Sequence, residues 1–319
     1  MPSIPLPEGI DKVAAPPVPP TVPGVLARLE AIQATFRGEP LANAPQPADL
    51  KAAIFDLKDT HHDGVVCFNH LYRVITADIN EKILGRVFFR DNNFLTQFDV
   101  IFADRYLEAI RRYANPAAYG PAPACWRLLF EYREDRDIHP MQFAICGVAC
   151  HVIFDLPIAT VQVCKNMSRS LDNDTHVDFQ KVNTIFHEKI PKLREYYENK
   201  SERLLDRSIV KSIANRVCDC IVVLSRDLAW QHAEELWQLW EPPDNDKSTR
   251  TMDELDNRTS YIVRVILWAP LYASDAKTIV TTPLHFIRDG LDILAWHLKN
   301  ADPLCAFRWF TTRLSSQSD

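Results

Sequence analysis

The sequence predicts an all-α protein, an irregular multi-helix bundle with a proline-rich N-terminal arm. Three observations carry that expectation. Apolar residues recur at helical spacing in stretch after stretch from Ala48 onward. No stretch reads as a convincing strand. Eight glycines in 319 residues are too few for a turn-rich β protein. The chain divides into an arm, 1–47, with one short helix, and a single helical domain, 48–319. Within that domain 48–241 forms the core, and 251–319 supplies C-terminal helices that complete a pocket.

Taken in order, residues 1–24 are crowded by prolines from Pro2 to Pro23 and favour extended or polyproline backbone, as a tail or an arm laid across the body. Helical periodicity begins over 25–37. The HHDG at 61–64 reads as a loop ending in a glycine turn rather than a metal cluster. Helices are expected over 65–83, 94–113, 126–132 and about 140–167, the last bent at its internal Pro157. Asp172, Asn173 and Asp174 then make a polar loop before a helix over 177–190. The stretch 203–241 is helical and is stopped by Pro242 and Pro243. A polar linker, 244–250, leads to helices over 252–272, 283–299 (Thr282 as cap, Pro283 in the first turn) and 303–314.

Composition excludes several functions. The apolar share of 47% suffices for a core, and a net charge of −6 offers no basic field for nucleic acid. Eight cysteines lie scattered, with Cys146 and Cys150 four apart and Cys218 and Cys220 as CxC, and they read as small buried residues in a reducing compartment. The N-terminus lacks a secretory signal pattern, and no uninterrupted apolar run is long enough to span a bilayer. The expectation is a cytoplasmic protein, with a homodimer allowed by its apolar helices.

The chemistry points to residues 142–188. His151 and Asp155 lie four apart inside an apolar run, and so share a helix face. A buried carboxylate needs a cation, a donor or a proton. Asp178, Asn183 and His187 follow in a second helical pattern. Together the five are a candidate ligand set: oxygen donors suit Mg²⁺, and imidazole tilts the set toward zinc. The same spacing also describes an ordinary His–Asp hydrogen bond within a helix. Arg105, Arg216 and Arg226 are candidates for gripping a diphosphate bidentately, with Asn215 and Asp219 as a reserve face. Trp268, Phe286, Trp296 and Trp309 are the candidate aromatic pocket, since ring faces stabilise positive charge without offering a nucleophile.

Five segments carry a resemblance: DGVVCFNHLYRVIT (63–76), FLTQFDVIFADRYLEAI (94–110), QFAICGVACHVIFDLPIA (142–159), VDFQKVNTIF (177–186) and SRDLAWQHAEELW (225–237). In order and content they resemble a helical domain family of unknown function over residues 48–241. That family's pattern reads G-x-N-A-H-I-x-x-D-L and then D-F-x-x-V-N. His151, Asp155, Asp178 and Asn183 match it, while Ala149 stands where the family has Asn. In size and in its added C-terminal helices the chain is similar to one branch, the noncanonical fungal α-humulene synthases. The resemblance implies a helical, Mg²⁺-dependent sesquiterpene cyclase acting on farnesyl diphosphate without a DDxxD motif, and this chain has none. It implies Asp155 and Asn183 as the leading ligands, with His151 and Asp178 next. Two other readings of the residues remain: a zinc phosphoesterase built on His151, Asp155 and His187, and a noncatalytic helical interaction module in which His151 and Asp155 fix helix register. A dry, filled core around Asp155 would favour the module.

Overall fold

In the computed structural model, residues 5–39, 63–197, 225–240 and 245–268 are described, without the side chains of 190–196, 245, 265 and 268. All of them belong to one unit, Met1–Trp268, and every regular element among them is helical, as expected. The predicted helices over 283–299 and 303–314, and 203–224 of the predicted helical stretch, lie outside the described residues.

The arm is laid across the body. It holds one helical turn, α1 (Ile10–Val13), whose Ile10 is buried. Arginines grip its carbonyl groups, one from the arm itself and two from the body. Arg28 donates to Val13 and Ala15, Arg111 to Ala14, and Arg133 to Pro5. Thr21 then caps α2 (Val22–Phe36) by accepting from the Gly24 N–H.

α3 (Gly64–Gly85) begins at the HHDG motif. Its Asp63 and Gly64 start a helix rather than close a turn, because the Asp63 carboxylate accepts from the Val65 and Val66 N–H groups. Asp63 also pairs with Arg133, whose carbonyl accepts from Gly64 at 2.7 Å. A buried seam joins α2 to α3: Glu30 pairs with Arg73, and Asn69 donates to Gln33 and to the Leu29 carbonyl.

α4 (Asn92–Ala114) is capped by Asp91. A single turn, α5 (Pro116–Tyr119), leads to α6 (Ala124–Tyr132), whose first N–H groups are taken by Asp256. α7 runs over Pro140–Asn166 and changes pitch in the middle. Its residues Cys150–Asp155 form a π turn, and the Leu156 N–H reaches back five residues to the His151 carbonyl. Pro157 follows directly. A proline has no N–H and its ring crowds the carbonyl four residues back, so a widened turn accommodates it. The expected bend is therefore a local change of helix type, centred on His151 and Asp155.

α8 spans Asn173–Tyr197. The predicted polar loop is its start, for Asp172 caps it by accepting from Thr175 at 2.8 Å. The helix also continues through Pro191 rather than ending there. Residues 225–239 form α9. The predicted linker 244–250 is largely helical too, because α10 spans Asn245–Trp268. Its last turns pack on α6 and α7, where Gln142 donates to the Ile266 carbonyl.

α7 is long and apolar enough to cross a membrane by length and composition alone, although His151 and Asp155 interrupt its apolar run. Its most apolar window is 94% buried within the fold, which makes it the core helix. Around it pack α3, α4, α8 and α10. The closest approach is to α3: a Cβ on Gly147 would sit 2.2 Å from the Phe68 ring, which is itself hemmed in by Tyr72, Tyr106 and Trp126. Gly147→Ala is expected to destabilise the fold by about 1–3 kcal/mol through overpacking. Urea unfolding measures it, and an unchanged midpoint would contradict this packing.

Candidate functional site

The π turn fixes two side chains. His151 Nδ1 lies 2.9 Å from Asp155 Oδ2, and the same oxygen accepts from Trp126 Nε1–H at 2.9 Å. Both residues are buried, at 2% and 1% exposure. Burial holds the His151 imidazole below its ordinary pKa, and only partly does the Asp155 carboxylate oppose that shift. The ring is therefore neutral near pH 7. With Nδ1–H donated to Asp155, Nε2 keeps its lone pair, and it has no hydrogen-bond partner. Asp155 Oδ1 faces Arg105 Nε at 4.0 Å.

His151 also sits among aromatic rings. Phe102 stacks on it at 3.5 Å between centroids, and Tyr72 meets it edge-on at 4.7 Å. Along α4, Phe94, Phe98 and Phe102 stack in succession, 5.8 and 5.9 Å apart, as side chains at i, i+4 and i+8 of one helix face do.

These rings wall a cavity of about 40 Å³. α3 contributes Phe68 and Tyr72, α4 Phe98, Asp99 and Phe102, and α7 His151. Val182 and Phe186 of α8 close one side, and Arg226 of α9 reaches in. Asp99 is 3% exposed, has no hydrogen bond, and is pushed up to about 7 by burial alone. Arg226 is 2% exposed and lowered to about 9 by burial. Its guanidinium donates to the Phe179 carbonyl at 2.6 Å and lies 4.3 Å from that ring's centroid, and its Nε is unpaired. No ion pair joins Arg226 to Asp99. An apolar cavity with convergent polar groups and displaced pKa values is where chemistry is expected.

The predicted ligand set is not assembled. His151 and Asp155 meet, but Asp155 is no cavity wall: it is packed beneath the ring it orients. Asp178 is fully buried elsewhere, accepting from the backbone N–H groups of Arg90 and Asp91 at 2.8 Å each and pairing with Lys181. It fastens the start of α4 to α8. Asn183 donates to Gln180, and His187 is exposed on α8. Among the described residues no three His, Cys, Asp or Glu side chains converge to hold a metal. The correction has a simple cause: spacing within one helix shows which residues share a face, not which neighbour that face meets.

Of the predicted arginines, Arg226 reaches the cavity, whereas Arg105 pairs with Glu108 at 2.8 Å. Arg216, Asn215, Asp219, Phe286, Trp296 and Trp309 lie outside the described residues, as does the side chain of Trp268. The aromatic wall actually seen comes from α3 and α4. Asp99 was missed, although a lone carboxylate beside a Phe94, Phe98, Phe102 stripe was its signal. The five described cysteines are buried and outside any disulfide, as their spacing suggested.

Fold and site define an all-α protein with a ring-walled cavity and a His–Asp pair at a π turn of its core helix. The chain belongs to a family of unknown function (DUF5995), whose model matches residues 22–269. That span takes in the five segments quoted above and extends over α2 and α10. No curated protein and no solved structure matches the chain.

Proposed function

We propose that this protein is an isoprenyl diphosphate cyclase, ionising farnesyl diphosphate in the ring-walled cavity and closing an eleven-membered, humulene-type ring. The observation that carries the reading is the apolar cavity, into which Asp99, His151 and Arg226 bring unpaired polar atoms. The sequence resemblance supplies the substrate class. In this reading the C1–O bond breaks with both electrons leaving on the diphosphate, and the Arg226 guanidinium meets the departing anion. The faces of Phe98, Phe102 and Tyr72 stabilise the allylic cation. The distal double bond attacks C1, and a proton is lost to His151 Nε2, whose lone pair Asp155 orients. Asp155 is thus a positioning residue rather than a ligand.

Ligand pockets ordinarily hold about 300–1,000 Å³, so a fifteen-carbon chain enters this cavity only if its lining rings swing aside. Mg²⁺, implied by the resemblance, takes several oxygen ligands, and the described residues do not assemble them. None of the steps above draws on a metal.

The test is incubation of the purified full-length chain with farnesyl diphosphate, once with Mg²⁺ and once with EDTA, followed by headspace hydrocarbon analysis. A sesquiterpene in the Mg²⁺ arm is expected. A folded protein giving no hydrocarbon from farnesyl or geranylgeranyl diphosphate in either arm overturns the reading.

One observation favours a second reading. The surroundings of Asp155 are dry and filled, as they would be in a noncatalytic helical module whose His–Asp pair fixes the register of α7. Under that reading the same incubation yields nothing.

A further inference from the structure

The cavity contains a carboxylate that nothing among the described residues pairs. Asp99 is 3% exposed, its Oδ2 is buried without a hydrogen-bond partner, and it forms no ion pair among the described residues. Such a group persists in a native core where something else satisfies it. Its surroundings indicate what that is. Phe98 and Phe102 stand beside it on α4, and Phe68 and Tyr72 face the same space from α3. Ring faces attract cations and repel anions. Asp99 is the one carboxylate among the described lining residues, whereas Mg²⁺ or Ca²⁺ takes several oxygen ligands. The orphan Nε2 of His151 adds a second acceptor, a nitrogen that can receive an N–H.

We propose that the Asp99 end of the cavity binds an alkylammonium ion, its N–H groups donated to Asp99 and His151 Nε2 and its carbon chain laid against the rings, which swing aside to widen the cavity of about 40 Å³ for it. The inference concerns the same cavity as the proposed function, but it stands whether or not cyclisation occurs there. In the cyclase reading, the ammonium takes the place of the allylic cation.

The groups facing Asp99 set the pH behaviour. Tyr72 from α3 stays protonated, since burial and the nearby carboxylates hold it well above its ordinary value. His151 from α7 stays neutral. Arg226 from α9 is a cation below about 9. α8 contributes only Val182 and Phe186. Asp99 alone titrates near neutrality, at about 7. Binding should therefore strengthen as pH rises from 6 to 8, because the carboxylate forms while the amine remains protonated.

Calorimetric titration of the full-length chain with hexylammonium, hexanol and hexanoate tests this without any turnover. Hexylammonium is expected to bind at least tenfold more tightly than hexanol at pH 8 and to lose most of that advantage at pH 6. Asp99→Asn, with its fold checked by circular dichroism, should abolish the preference and flatten the pH dependence. If hexylammonium fails to bind at pH 8, matches hexanol, or binds Asp99→Asn as well as wild type, the proposal is overturned. The pH series on the wild type decides even if the variant does not fold. A failed cyclase assay leaves these outcomes untouched.

Discussion

Asp155→Ala is expected to remove about 2–6 kcal/mol of stability, because each of two buried donors left unsatisfied costs about 1–3 kcal/mol. Asp155 Oδ2 receives two donors at once, Trp126 Nε1–H and His151 Nδ1–H. Taking the carboxylate away strands both in a dry core. A truncation that leaves the fold intact is thus not expected, and lost turnover in this variant would be ambiguous. Asp155→Asn separates the causes. It keeps the shape and an amide oxygen able to accept both donors, so only the charge is removed and the expected cost is smaller, about 1–3 kcal/mol. The neutral amide supports a protonated His151 less than the carboxylate does, and in the cyclase reading a folded Asp155→Asn protein gives at least tenfold less hydrocarbon. Urea unfolding and product yield are read on the same samples. Near-normal yield from folded Asp155→Asn would remove the pair from the mechanism and leave it a register device.

How much of this was legible follows the range of the forces involved. Helix existence is local, so α3, α4, α6 and α7 were read to within a few residues from periodicity and caps. Two polar stretches were misread for a related reason. Asp172 looked like loop and proved to be a cap, and the run 244–250 looked like a linker although α10 begins at Asn245 and the polar residues 246–250 are largely exposed helix. The His151–Asp155 contact was legible because both ends lie on one helix. Asp178 was not, because its partners, the Arg90 and Asp91 N–H groups, lie far away in sequence. A π turn leaves no periodic signature beyond a proline that also marks ordinary kinks. The cavity needed five helices to be placed, and Asp99 gains its meaning only there.

Asp99→Asn is expected to stabilise the protein at pH 8, an unusual direction for a substitution in a core. The sign follows from linkage. The native carboxyl titrates at about 7 and its ordinary value is 3.8, so the native state holds the proton more tightly than the unfolded chain does. Any stability from the protonated form is complete below the ordinary value and is lost as pH rises to about 7. Above that the wild type carries the full penalty of a buried, unpaired carboxylate, which at 1.36 kcal/mol per pKa unit amounts to about 4 kcal/mol. The neutral amide does not ionise. Its unpaired N–H groups offset part of the gain, which leaves a net stabilisation of about 1–3 kcal/mol at pH 8 that vanishes toward pH 4. Chemical denaturation at the two pH values measures it. A variant less stable than wild type at pH 8 would show that Asp99 is satisfied within the protein, and the ammonium site would fall with it. A variant that gains stability and loses hexylammonium would mark a group held in place for what it binds, the exchange of stability for function expected at a binding site.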